Sequence, residues 1–146
     1  MTLLTIGYQG ATSAAVIDTL RFADVELLVD VRAVAASRRP GFSKRQLAAG
    51  VSAAGIGYVH LRDLGTPADG RAAARSGRYD ELRRIFLEHL ATPPAQAELD
   101  QLTDLVRGGR RVCLLCFEHE PGHCHRRFVA EAVADRTGVA VQHLKP

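Results

Sequence analysis

Residues 112–134 read Val112-Cys-Leu-Leu-Cys116-Phe-Glu-His-Glu-Pro-Gly-His-Cys124-His-Arg-Arg-Phe128-Val-Ala-Glu-Ala-Val-Ala134. An apolar run, a polar loop and a helical pattern follow one another without a break. The apolar run reads as a strand that ends in the polar loop, and the pattern after it as a helix. The loop between them, 116–127, holds two cysteines, three histidines, two glutamates and two arginines. Thiols, imidazoles and carboxylates at such close quarters perturb one another's protonation, which marks the loop as a site.

The same alternation repeats on either side. Leu3–Ile6 is a short apolar strand ending at Gly7, and Thr12 or Ser13 can cap a helix through about Phe22. Ala15, Val16, Leu20 and Phe22 are available for that helix's buried face. Val25–Val29 is a second strand, nearly continuous in its apolar character and so expected to be buried on both faces. Ser43 caps a helix reaching about Ala54, and Gly55 stops it. Ile56–Val59 makes the third strand. From Leu64 to Arg78 the chain is rich in Gly, Pro, Ala and Arg without a clear period, which reads as a long loop with a helical turn at Arg71–Arg75. Tyr79–Leu90 is a helix, and Pro94 opens another that runs through Arg107. Arg111–Phe117 is the fourth strand, His123–Arg136 the last helix and Val139–His143 a fifth strand.

Strands separated by helical stretches imply right-handed crossovers. The expected fold is therefore α/β, a three-layer sandwich of about five mostly parallel strands with helices on both faces. It should form one domain over residues 1–146, with strand order 3-2-1-4-5. Ligands of such sheets bind beyond the carboxyl ends of the strands. Gly7 and Tyr8 follow the first strand, Asp30 and Arg32 the second, His60, Arg62 and Asp63 the third, and Cys116 and Glu118 the fourth. The chemically loaded residues thus converge on one edge of the sheet.

Hydrophobic content of 47% and charged content of 24% are ordinary for a soluble chain, and no apolar run approaches a membrane span. The N-terminus enters a strand-like run with no basic region or cleavage pattern of a signal peptide, so a cytoplasmic location is expected. In that reducing setting, three cysteines, an odd number, favour reactive, metal-binding or simply buried thiols over a disulfide framework. The net charge is a mild +3, but Arg32, Arg38, Arg39, Lys44 and Arg45 fall in a stretch without any acid. Such a field suits an anionic ligand, a nucleotide or nucleic acid, or is simply a solvated face.

Cys124 sits at or just before the last helix, followed by His125, Arg126 and Arg127. Cationic neighbours and a helix N-terminus favour a thiolate, the form of a nucleophilic or redox cysteine. The same backbone amides can instead bind an anion with Arg126 as clamp. Cys116, Cys124 and one of His119, His123 or His125 are also enough for a metal. The Cys-x7-Cys-His spacing, however, is not a zinc knuckle and no second cluster exists, so neither metal nor cofactor is expected. Cys113, inside the strand run, reads as core.

Taken together, Thr5-Ile-Gly-Tyr8, Leu28-Val-Asp-Val-Arg32, Ser37-Arg38 with Gly41-Phe42, Gly55-Ile-Gly-Tyr-Val-His60, Leu64-Gly65 and Cys116-Phe-Glu118 with Cys124-His-Arg126 resemble the domain-of-unknown-function family 488. That resemblance implies a compact α/β domain of no established activity. It adds Phe42, Tyr58, Leu64 and Gly65 to the positions of interest. Ala35 stands where the family often has Pro. A looser likeness, an Asp-x-Arg strand end and a cysteine between strand and helix, is to rhodanese and cysteine-phosphatase domains. Their short Cys-to-Arg loop is absent here.

The expectation is an enzyme-like site for an anionic or phosphate-bearing substrate. Cys116, Cys124, Asp30, Glu118 and His125 would be catalytic, and Gly7, Tyr8, Arg32, Ser37, Arg38 and Arg126 would bind the anion. The alternatives are a nucleotide- or nucleic-acid-binding module using Arg32–Arg45, and a metal-binding Cys/His loop. No membrane partner is expected, and no feature of the sequence specifies an oligomeric state.

Overall fold

The computed structural model describes residues 1–146 and arranges five parallel strands in the order β3-β2-β4-β1-β5. The strands are β1 (Thr2–Gly7), β2 (Leu27–Asp30), β3 (Gly57–His60), β4 (Val112–Cys116) and β5 (Ala140–Leu144). The helices are α1 (Ser13–Phe22), α2 (Lys44–Ala53), α3 (Ala68–Arg75), α4 (Tyr79–Leu90), α5 (Pro93–Arg107) and α6 (Arg126–Thr137). The α/β sandwich is as expected. The strand order is not, because β4 lies between β1 and β2. The reason is burial. Every residue of β4 is buried, whereas β3 and β5 are only partly covered. The most continuously apolar strand takes the centre, and β1 pairs with it rather than with β2.

This order also decides which helices share a face. The β1–β2 and β2–β3 crossovers run one way across the sheet, and the β3–β4 and β4–β5 crossovers run the other way. Right-handed connections then place α1 and α2 on one face and α4, α5 and α6 on the opposite one. Side chains of the central strands divide accordingly. Leu4, Ile6, Leu28, Cys113 and Leu115 pack with Val16, Leu20, Leu47 and Val51. Leu3, Leu27, Val29, Val112, Leu114 and Cys116 pack with Phe86, Leu99, Leu102, Val129 and Val133. Cys113 is a free, buried core residue. No helix is long and apolar enough to cross a membrane.

Four local differences have physical causes. Phe22 is 94% exposed rather than part of the buried face of α1. It lies two residues past buried Leu20, about 200° around the helix. The segment after Leu64 is more ordered than a loop, since Ala68–Arg75 is a full helix. Its alanines have high helix propensity, but its buried positions are only Gly70 and Ala73, so no large-apolar period exposes it. The last helix starts at Arg126 after a short 3-10 turn at Pro121–His123, which leaves Cys124 ahead of its first turn. Ser43 precedes α2 without capping it, because its Oγ donates to the Ser37 carbonyl and accepts from the Ser37 amide.

Candidate active site

At the carboxyl edge, β1 and β4 lie side by side with Gly7 in register with Cys116. The chain leaves these two neighbours in opposite directions, so the crevice of a parallel sheet opens between them. Gly7 is needed for closeness, since a side chain there would overlap the Glu118 carbonyl. The next two amides, Tyr8 and Gln9, donate to the Cys116 and Phe117 carbonyls at 3.3 and 2.8 Å. The glycine turn therefore ties β1 to the cysteine loop. It does not cradle an anion.

Asp30 ends β2 wholly buried, and its carboxylate is committed to neighbours. Oδ1 accepts from the Arg32 amide and Nε at 3.1 and 2.9 Å. Oδ2 accepts from Arg32 Nη2 at 2.7 Å and from the Tyr58 hydroxyl at 2.5 Å. Arg32 Nη1 donates to the Phe42 carbonyl and the Tyr8 hydroxyl at 2.8 and 3.1 Å. Burial opposes the Arg32 charge, but the Asp30 hydrogen bonds and charge outweigh it and raise its pKa above the ordinary value. Burial, then Asp30, likewise pushes the Tyr58 hydroxyl upward. Asp30, Arg32 and Tyr8 form a closed lock rather than the acid and anion clamp expected of them.

Arg126 is also used differently. It turns toward β1 and the cysteine loop, not toward Asp30, and is fully buried. Nε donates to the Thr5 hydroxyl at 3.1 Å, Nη1 to the Glu118 carbonyl, and Nη2 to the His119 carbonyl at 3.2 Å. Burial lowers its pKa to about 10, with the Glu118 charge acting against that, so it stays cationic at neutral pH. No carboxylate forms an ion pair with it, and its Nη1 is 3.6 Å from Cys116 Sγ. The guanidinium serves as a built-in positive charge beside a sulfur.

The Sγ atoms of Cys116 and Cys124, eight residues apart in the chain, lie side by side within reach of a disulfide. The loop doubles back and brings both sulfurs to the same edge, where the expected thiols can pair on oxidation. Glu118 Oε2 lies 3.5 Å from Cys116 Sγ, and burial raises the pKa of this carboxyl above its usual range. His125 Nε2 is 2.7 Å from the Val31 carbonyl. A carbonyl only accepts, so Nε2 carries the proton and Nδ1 presents a lone pair 3.8 Å from Cys124 Sγ. Burial lowers the His125 pKa to about 4, with the Val31 hydrogen bond partly opposing, so the ring is neutral at pH 7.

A stability consequence follows. Unfolded His125 takes up its proton near pH ~6.5, whereas the folded ring resists it to about pH 4. The favourable contribution is complete above the unfolded value and is lost as pH falls through this window. Urea unfolding at pH 7 and 4.5 should show wild type losing about 2–3 kcal/mol more than His125→Asn. Equal losses would mean that the native ring already binds a proton in that range.

The cysteines open on a cleft of about 120 Å³ lined by Tyr8, Arg32, Thr66, Arg71, Glu118, His123 and His125 and by apolar groups such as Val34 and Leu82. His123 stacks on Tyr79, with centroids 4.0 Å apart. Ser37 and Arg38 are not in this lining. Ser37 Oγ accepts from the Arg39 amide, and Arg38 is exposed. Arg39 reaches inward to the Tyr8 and Ala11 carbonyls, which leaves Arg38, Lys44 and Arg45 as the exposed cations of the basic stretch. Thr66 and Arg71 had drawn no functional expectation, whereas His123 was a candidate metal ligand. The Gly65-Thr-Pro67 step into α3 was the one sequence signal for Thr66 and Arg71.

A family model described as domain of unknown function DUF488 matches residues 12–133. The chain belongs to DUF488. The matched span includes the Asp30–Arg32 lock and the cysteine loop through Arg126, and begins after Gly7 and Tyr8. No curated protein and no solved structure is detectably similar to this DUF488 chain.

Proposed function

We propose that the protein is a thiol-dependent reductase of a small oxidised substrate, with Cys116 as nucleophile and Cys124 as resolving thiol. One observation carries this reading: the paired sulfurs meet at the cleft, with a buried cation beside one and an imidazole lone pair beside the other. In the reduced state the Arg126 charge favours a Cys116 thiolate. That thiolate attacks the electrophilic atom of a substrate X–Y, forming Cys116–S–X and expelling Y⁻, which takes a proton from the Glu118 carboxyl. His125 Nδ1 orients the Cys124 S–H. Cys124 then attacks the adduct sulfur, releases X–H and leaves the Cys116–Cys124 disulfide. An external dithiol restores the pair and becomes a disulfide itself, so the electrons balance.

Alkylation by iodoacetamide tests this after reduction. Cys116 should reach half its maximal rate well below the ~8.5 of an unperturbed thiol, in wild type and in Cys124→Ser. Two thiols that react only near that unperturbed value would remove the reading. A second reading has one specific support. Cys116 Sγ, Cys124 Sγ and a His125 nitrogen lie within 4.8 Å of one another, and the other His125 nitrogen is held by a carbonyl, as in many zinc sites. Under that reading one equivalent of Zn²⁺ protects both cysteines of the reduced protein from alkylation. Under the reductase reading it does not.

A further inference from the structure

Thr66 lines the same cleft as the two cysteines, just ahead of α3. It is 4% exposed, and its hydroxyl is the one buried side-chain polar atom in the protein without a hydrogen-bond partner. Native interiors rarely leave such a group unsatisfied unless something else binds there. Arg71, one turn into α3, donates through Nη1 to the Thr66 carbonyl and lines the same cleft. Unlike Arg32 and Arg126, its guanidinium has no other protein acceptor within hydrogen-bonding distance. A hydroxyl and a guanidinium fork on one wall are complementary to an oxyanion.

The rest of the cleft limits what that oxyanion belongs to. About 120 Å³ is the share of roughly four waters, so there is room for the charged head and a short stem. Val34, Ala74 and Leu82 make the stem's surroundings apolar. Glu118 is the single acidic residue on the lining, and when ionised it opposes an anion.

We infer that Thr66 and Arg71 form the substrate-anchoring subsite, and that the substrate is a short molecule with an oxyanion head, carboxylate or phosphate. The inference rests on the reductase reading, since Thr66, Arg71 and Cys116 line one cleft.

Iodoacetate and iodoacetamide alkylate by the same displacement of iodide and differ in the charge of a two-carbon body. The ratio of their rate constants therefore cancels the nucleophilicity of the thiol and reports the subsite. In the reduced protein this ratio should exceed that of N-acetylcysteine by about tenfold, the worth of one hydrogen bond to a charged group. Arg71→Gln should return it to the reference value, and Thr66→Val should lower it about threefold. Glu118→Gln should raise it. A wild-type ratio equal to that of N-acetylcysteine and unmoved by Arg71→Gln overturns the subsite. Slow alkylation by both reagents with the ratio still raised overturns the reductase reading and leaves the subsite standing. Thermal unfolding gives a readout that does not depend on the cysteines. Millimolar acetate or inorganic phosphate should raise Tm of wild type but not of Arg71→Gln, and the more effective anion identifies the head. No shift with either anion, together with an unraised ratio, leaves Thr66 with an ordinary bound water.

Discussion

Arg126→Met is expected to lower the unfolding free energy by about 4 kcal/mol, read by urea denaturation at pH 7. Methionine keeps the apolar stem but removes every donor. The Thr5 hydroxyl and the Glu118 and His119 carbonyls then lose their partner together. For a chain of this size that loss corresponds to a fall of about 8–16 °C in Tm. Lysine at the same position should recover only part of it, because a single ammonium cannot span acceptors on β1 and on the loop at once. A loss below about 1 kcal/mol would mean that water replaces the guanidinium freely and that Arg126 does not hold the cysteine loop. The same substitution removes the cation beside Cys116. The reactivity of that sulfur should therefore fall even where the variant is still folded.

The second large effect is at the other end of the edge. Asp30→Asn should cost about 3–5 kcal/mol, because it leaves the Arg32 charge buried without its counter-ion. The double variant Asp30→Asn/Arg32→Met should be more stable than Asp30→Asn alone, since the uncompensated charge is gone. A double variant as damaged as the sum of the two singles would show that the pair supports the strand end by geometry rather than by charge. The lock also bears on the site. Val31, between the two partners, holds His125 through its carbonyl, and the Arg32 carbonyl accepts from His60. Loosening Asp30 should therefore free the His125 ring. Its titration, followed by NMR, should move from about 4 toward the ordinary histidine range.

The helix Tyr79–Leu90 was legible residue by residue and the fourth strand to within one residue at each end, because each displays its own period or apolar continuity over a whole element. The helix Ala68–Arg75 was not. A helix that buries only a glycine and an alanine shows no stripe of large side chains, and its place against the cleft is decided by neighbours distant in the chain. The convergence of Gly7, Asp30 and Cys116 on one edge was likewise legible, since parallel strands all deliver their carboxyl ends to the same side.

The chain by itself therefore determined the α/β class, the burial of β2 and the strand ends that carry the reactive groups. These follow from local patterning, which backbone geometry converts directly into elements. Only the tertiary structure decided what each polar group does there. Arg32 and Arg126 look like anion clamps in sequence, yet each spends its donors on acceptors from other elements. Arg71, unremarkable in an Ala-Arg stretch, keeps donors to offer beside the unpartnered Thr66 hydroxyl. A guanidinium binds a ligand only with donors that the fold leaves over. Which donors are left over depends on distances between residues that the order of the chain does not contain.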